Sequence, residues 1–277
     1  MTYRFCGSKL KQWKDIDISN IDNIAVAVIC GSFNPMHQAH IDMYNVVGDV
    51  LKENGRHRSL LVGGFVSPVN DRYEKEGLHS FTERAAVCEA SLVNHPALSV
   101  DRWEGLQPKY VYTVFVLEHM QQEVQKWYEE DAQPDAAQLS WIRQHPVLTI
   151  FVCGSDLFSS FLIPNCWQLP LLERLLDNFD VLVLRRSGTS GCKEVLESHG
   201  SVIHQNLVET DESTVLLTLD LSRYSFIESE LLSSPITSTD IRERLLRDPN
   251  TDLVSLVPPT AIDLVRAYYG RGAAATQ

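Results

Sequence analysis

The chain contains no run of about 18 apolar residues, the length a membrane helix needs. Its first twenty residues, MTYRFCGSKLKQWKDIDISN, are interrupted by charges every few positions and lack the apolar core of a secretory leader. No targeting segment is visible, so cytoplasm or nucleus is the expected compartment. Cationic residues are scarce: 24 Lys and Arg stand against 36 Asp and Glu, a net charge of −12. A surface this acidic is a poor nonspecific ligand for nucleic acid or anionic membranes, and neither is expected as a partner. A small anionic substrate remains compatible, provided that a local basic pocket works against the global field. The six cysteines form no C-x-x-C pair, and several lie in apolar runs such as AVAVIC and LTIFVC. They read as buried reduced thiols, not as a disulfide or zinc framework. No G-x-G-x-x-G follows the first apolar run, which argues against a dinucleotide-binding dehydrogenase.

What is present is an alternation of apolar runs with amphipathic segments. Residues 24–30 (IAVAVIC) form a continuous apolar run ending at Gly31, the pattern of a strand buried on both faces. Residues 59–66, 98–100, 148–153, 179–184 and 215–221 are further strand candidates. Gly63-Gly64 in the second run suggests a close backbone approach. Helical spacing covers residues 38–53, 110–128 and 170–178, and Ser80 with Glu83 forms a capping box opening a helix to about residue 93. A helix is expected from Ser238 to Leu246, and a last one after Pro258-Pro259. The order implies right-handed βαβ units: an α/β fold with a doubly wound parallel sheet. Its domain would span 24–270, after an N-terminal extension (1–23), with a surface insertion at 121–146 and a flexible tail at 271–277. In such folds ligands sit outside the carboxyl ends of the strands.

The loop after the first strand reads Gly31-Ser32-Phe33-Asn34-Pro35-Met36-His37-Gln38-Ala39-His40. A Gly-containing strand-to-helix turn presents backbone N–H groups to an anion. His37 and His40, at i and i+3, fall on one helical face beside it and can donate to phosphoryl oxygens. Taken alone, the pair could equally be surface residues or half of a metal site. No further metal ligand lies nearby except Asp42, so no protein metal site is expected. Gly154-Ser155-Asp156 follows another buried strand and reads either as a ribose-binding turn or as a helix N-cap. Ile236-Thr237-Ser238-Thr239-Asp240-Ile241-Arg242 places hydroxyls at a helix start with an arginine one turn later: an anion cradle or a plain cap.

GSFNPMHQAH resembles the (H/T)xGH signature of the nucleotidylyltransferase superfamily, in the GSFNP form typical of eukaryotic nicotinamide mononucleotide adenylyltransferases. Ala39 stands where the signature often has Gly. SPVNDRYEKEGL (67–78) is similar to that family's SPVxDxYxKxGL, VDRWEGLQ (100–107) to its D-x-W-E-x-L-Q, PNCW (164–167) to its PNxW, and ITSTDIR (236–242) to its ISSTxIR. The likenesses occur in the family's order over roughly residues 24–260. The resemblance implies a Rossmann-like nucleotidylyltransferase fold and the joining of a pyridine mononucleotide, nicotinamide or nicotinate, to ATP, with Mg²⁺ as the cation. It further implies that Gly31, Ser32, Phe33, His37, His40, Gly154, Asp156, Ser238, Thr239 and Arg242 bind ATP, with His40 and His37 catalytic. Lys75, Trp103, Thr113, Trp167 and Arg186 would hold the mononucleotide, Arg185 being a less certain neighbour of Arg186. A homo-oligomer is implied as well. Two alternatives stay open: another member of the superfamily, such as a pantetheine-phosphate adenylyltransferase, and a noncatalytic nucleotide sensor on the same fold.

Overall fold

The computed structural model describes residues 2–55, 58–186, 188–210, 213–231 and 236–270. The expected tail at 271–277 lies outside them. Six strands form one sheet: β1 (Asn23–Gly31), β2 (Ser59–Pro68), β3 (Leu98–Val100), β4 (Leu148–Gly154), β5 (Asp180–Arg186) and β8 (Ile227–Leu231). Their spatial order is β3-β2-β1-β4-β5-β8, and every neighbouring pair is parallel. β1 therefore lies at the centre, and the chain reverses its direction of winding between β1 and β4. A crevice at the carboxyl ends of those two strands is where such a sheet binds its ligands.

The continuous apolar runs are explained by burial on both faces. In β1, Ile24, Val26 and Val28 point into one core, and Ala25, Ala27 and Ile29 into the other. The first core is closed by α4 (Thr113–Lys126), α5 (Ala136–Gln144), α6 (Ser155–Ser160) and α7 (Leu169–Asn178). The second is closed by α1 (Gln38–Asn45), α2 (Val47–Glu53), α3 (Phe81–Leu92), α9 (Ser238–Arg247) and α10 (Ile262–Tyr269). Among the described residues no helix is long and apolar enough to cross a membrane.

Several expectations are refined. The helix expected over 38–53 is broken at Val46 into α1 and α2. The helix expected over 110–128 begins at Thr113 and passes into a wider, π-helical turn at Trp127–Asp131. The segment 121–146, expected as a surface insertion, places Val124, Trp127, Tyr128 and Ile142 in the core. The segment ahead of β1 is anchored as well, since Leu10, Trp13 and Ile16 are buried in that same core. Trp13 Nε1 donates to the Tyr128 carbonyl at 3.1 Å, and Tyr128 Oη donates to the Lys11 carbonyl at 2.8 Å. Gly63 and Gly64 are where the close approaches occur: a Cβ on Gly63 would stand 2.8 Å from Leu10, and one on Gly64 2.6 Å from the Tyr44 ring.

Between β5 and β8 lie α8 (Cys192–His199) and an antiparallel hairpin, β6 (Val202–Thr210) and β7 (Ser213–Asp220), of which the sequence had indicated only the second strand. All six cysteines are free thiols; Cys88, Cys153 and Cys192 are buried, but Cys6 and Cys166 are exposed, against expectation.

Candidate active site

β1 ends at Gly31, and residues 32–37 turn back over the strand end into α1. Phe33 adopts a positive φ of 43° and Asn34–Pro35 is a cis peptide bond. The Phe33 ring is buried, and His40 stands edge-on to it with centroids 5.0 Å apart. His37 caps α1, and its backbone N–H donates to His40 Nδ1 at 3.1 Å. The two imidazoles stack with centroids 3.8 Å apart. An Nδ1 that accepts a hydrogen bond leaves the ring proton on Nε2. His40 therefore presents an N–H donor on the side away from its own backbone contact.

Two other segments converge on this turn. From α9, Ser238 Oγ donates to the Pro35 carbonyl at 2.8 Å and Arg242 Nη1 to the Asn34 carbonyl at 2.7 Å. The helix start itself is capped by Thr237, whose Oγ1 accepts from the Asp240 N–H while the Asp240 carboxylate accepts from the Thr237 N–H and hydroxyl. Ser238 and Thr239 are thus not consumed by the cap, although Thr239 Oγ1 accepts from Arg242 Nη2 at 3.3 Å. From the loop after β2, Lys75 Nζ donates to Ser32 Oγ at 3.1 Å. Burial first, then the positive charges of Arg242 and Arg84, push the Lys75 ammonium below its ordinary pKa. A concentration of cations thus exists at the end of β1 in a chain of net charge −12.

Gly154 and Asp156 lie across the switch point. β1 pairs with β4 through Val28 and Phe151, and Gly31 and Gly154 each come three residues later. Gly154 caps α6, and a Cβ built on it would meet nothing within 4 Å, so the backbone there faces open space. Asp156 is exposed in the first turn of α6.

The aromatic residues flank this centre on either side. Trp103, after β3, lies flat on His119 of α4, with centroids 4.1 Å apart and 11° between planes. Thr113 opens the same helix. Trp167, after α6, donates from Nε1 to Ser160 Oγ at 2.9 Å and stands edge-on to Phe161. The hairpin reaches this loop through Gln205, whose Nε2 donates to the Trp167 carbonyl at 3.2 Å and whose Oε1 accepts from the Leu169 N–H at 2.9 Å. Arg185 is committed elsewhere, donating to the Thr189 carbonyl at 2.9 Å and lying 3.8 Å from Glu228. The Arg186 side chain lies outside the described residues.

Three residues to which the sequence assigned no role, although Asn34 and Glu104 lie inside the motifs quoted from it, hold the site together. Asn34, fully buried, donates to the Gly77 carbonyl at 2.8 Å and accepts from the His79 N–H at 3.2 Å, tying the β1 turn to the Lys75 loop. Arg84, also fully buried, donates to the carbonyls of His79, Ser32 and Val69 at 2.7, 2.9 and 2.6 Å. Its signal was its position on the apolar stripe of α3, between Phe81 and Cys88. Glu104, buried beneath the loop, accepts from Ser67 Oγ at the end of β2. Nothing in its spacing marks it.

A doubly wound sheet with paired histidines, a serine-threonine helix start and an arginine gathered at its switch point defines a nucleotidylyltransferase. The chain belongs to the cytidylyltransferase-like family, whose family model matches residues 28–244, and within it to the nicotinamide/nicotinic acid mononucleotide adenylyltransferases. It is 31% identical over 192 residues to the nicotinamide/nicotinic acid mononucleotide adenylyltransferase of Oryza sativa subsp. japonica, covering 68% of this chain and 70% of that one. To nicotinamide/nicotinic acid mononucleotide adenylyltransferase 1 of Bos taurus it is 27% identical over 267 residues, 88% of this chain and 85% of that one. Its fold is like that of Plasmodium falciparum nicotinic acid mononucleotide adenylyltransferase complexed with NaAD, with a TM-score of 0.52 at 15% identity, covering 89% of this chain and 96% of that one.

Proposed function

We propose that the protein transfers the adenylyl group of ATP to nicotinamide or nicotinate mononucleotide, releasing pyrophosphate and forming the dinucleotide. The observation that carries this reading is the docking of α9 on the β1 turn through Ser238 and Arg242, which sets the histidines, Lys75 and Arg242 around one place. The relatives' names supply the substrates, and the electrostatics suit two polyanions.

A phosphate monoester has its second pKa near 6 and is mostly dianionic at neutral pH. The nucleophile thus arrives prepared, and no general base or covalent intermediate is required. An oxygen of the mononucleotide phosphate attacks the α-phosphorus of ATP; the bond from that phosphorus to the β-bridging oxygen breaks, and pyrophosphate leaves. What the protein contributes is alignment and charge stabilisation. His40 Nε2–H donates to the α-phosphate as negative charge builds on its oxygens, with His37 beside it. Ser238, Thr239 and Arg242 hold the leaving phosphates. Gly154 and Asp156 face the ribose. Lys75 meets the incoming phosphate, and Trp103 and Trp167 take the pyridine ring, whose positive charge favours a π face.

The divalent cation is part of the substrate, as the ATP complex. Mg²⁺ keeps several waters and binds mainly through substrate phosphates, and among the described residues no group of three His, Cys, Asp or Glu side chains could hold a metal.

The test is to incubate purified protein with ATP, Mg²⁺ and each mononucleotide in turn, following dinucleotide and pyrophosphate separately. Equimolar formation of both products is expected. ATP consumption only with a different phosphorylated acceptor, such as phosphopantetheine, would overturn the substrate assignment; nucleotide binding without turnover would overturn the enzymatic one.

A further inference from the structure

The segment ahead of β1 reaches the aromatic side of the site. Phe5 packs on Phe65 of β2 with centroids 5.3 Å apart, Gly7 sits so close to the Trp127 indole that a Cβ there would collide with it, and Leu10 and Trp13 are buried. Tyr3, at the far end of this strap, places its hydroxyl 3.0 Å from His119 Nε2, with the Asp101 carboxylate close enough to act on it electrostatically. Asp101 accepts in turn from the Trp103 backbone N–H at 3.2 Å. His119 is the ring on which Trp103 lies flat. One circuit of contacts therefore runs from Tyr3 through His119 to Trp103, whose backbone N–H is held by Asp101.

Burial pushes the Asp101 carboxyl up to about 6, so at neutral pH it is chiefly a carboxylate and can only accept. Burial and that nearby carboxylate push the Tyr3 hydroxyl well up, so it stays protonated. The hydroxyl and His119 Nε2 share one hydrogen bond at 3.0 Å. Burial lowers His119 to about 4, so the ring is neutral. The titratable groups facing this circuit are Asp101, Glu123 and Tyr3 itself.

We propose that Tyr3 and His119 are positioning residues of the mononucleotide subsite: the N-terminal strap fixes a neutral imidazole behind Trp103, so that the indole offers one rigid face to a pyridinium ring. This rests on the reading of Trp103 as the plate for that ring. The gain is twofold. A side chain already stacked on one side loses less freedom when the ligand stacks on the other. A neutral backing ring leaves the indole's negative π face undiminished for a cation, whereas an imidazolium behind it would oppose one.

The experiment is a double-mutant cycle on the full chain, Tyr3→Phe, His119→Phe and the pair together, with Trp103→Ala as a separate arm. Tyr3→Phe keeps the ring and removes only the hydroxyl. It is expected to raise KM for the mononucleotide by about fivefold, the size of one lost hydrogen bond, with KM for ATP and kcat unchanged. His119→Phe keeps an aromatic backing but no longer uses the hydroxyl, so adding Tyr3→Phe to it should cost nothing more. The proposal is overturned if Tyr3→Phe leaves the mononucleotide KM unchanged while Trp103→Ala raises it, or if the ATP and mononucleotide KM values rise together. If Trp103→Ala leaves the mononucleotide KM unchanged, the plate reading itself fails and takes the proposal with it.

Discussion

The His40 ring lies 3.8 Å from the His37 ring and accepts the His37 backbone N–H on Nδ1 at 3.1 Å. That contact fixes both the tautomer and the aim of the imidazole. His40→Ala removes a donor that acts as charge develops, and an aimed donor of this kind is worth about 10²–10³-fold in kcat. That loss is expected in kcat, with the melting temperature little changed. Wild-type turnover in this variant would remove His40 from the chemistry.

Lys75 stands with Arg242 and Arg84 in a field of like charge, and its ammonium is held below its ordinary pKa by burial and by those two neighbours. The free protein carries this repulsion, and bound phosphates relieve it. Lys75→Met is therefore expected to leave the free protein as stable or more so, while weakening binding of the mononucleotide, by roughly 10-fold or more. Thermal melts without ligand and KM determinations at two ionic strengths check both halves. A less stable free protein with normal KM would make Lys75 a structural residue.

Arg84 has no exposed surface and donates to the carbonyls of three loop residues, Ser32, Val69 and His79. Its nearest carboxylate, Asp71 at 3.2 Å, is half-exposed, so the hydrogen bonds and not the ion pair carry the interaction. Arg84→Met fills most of the volume but strands three acceptors, each costing about 1–3 kcal/mol if it stays buried. A fall in stability of at least ~3 kcal/mol is expected from urea denaturation. Because Ser32 is one of the three, turnover should fall too. A midpoint within error of wild type would show that water reaches these carbonyls.

Much of this was legible in the sequence, for identifiable reasons. β1, β4 and β5 are buried on both faces, so their runs stand out without any tertiary information. The Ser80–Glu83 and Thr237–Asp240 boxes are local chemistry and form as local rules require. The His37–His40 spacing survives because α1 begins between them. What stayed hidden depends on distant contacts. Arg84 reads as a helix cation until three loop carbonyls surround it. Tyr3 and His119 are 116 residues apart, and only the packed strap brings them together. The β6 strand carries His204, Gln205 and Asn206 in its middle, so no apolar run or alternation marks it.

Glu104 gives a prediction whose sign runs opposite to that of most carboxylates. It is buried, and its carboxyl is pushed from 4.5 up to about 8, first by burial and then by the charge of Asp101, against the lowering effects of Ser67 and Arg84. Between those two values the native state holds a proton that the unfolded chain releases. Stability contributed here is complete below about 4.5 and declines as pH rises towards about 8. Asp101, pushed up to about 6, acts in the same direction. His95 and His119, both lowered by burial, oppose it in the acid half of the range. The wild-type profile alone therefore mixes several groups, whereas its difference from Glu104→Gln isolates one. The amide keeps an acceptor for Ser67 Oγ and cannot ionise. The variant is expected to gain on wild type steadily from pH 5 to pH 8, at a slope of at most ~1.4 kcal/mol per pH unit. Urea midpoints of the two proteins at four pH values measure the difference. Parallel profiles would mean that Glu104 is already ionised in the folded protein, with Ser67 and Arg84 outweighing its burial.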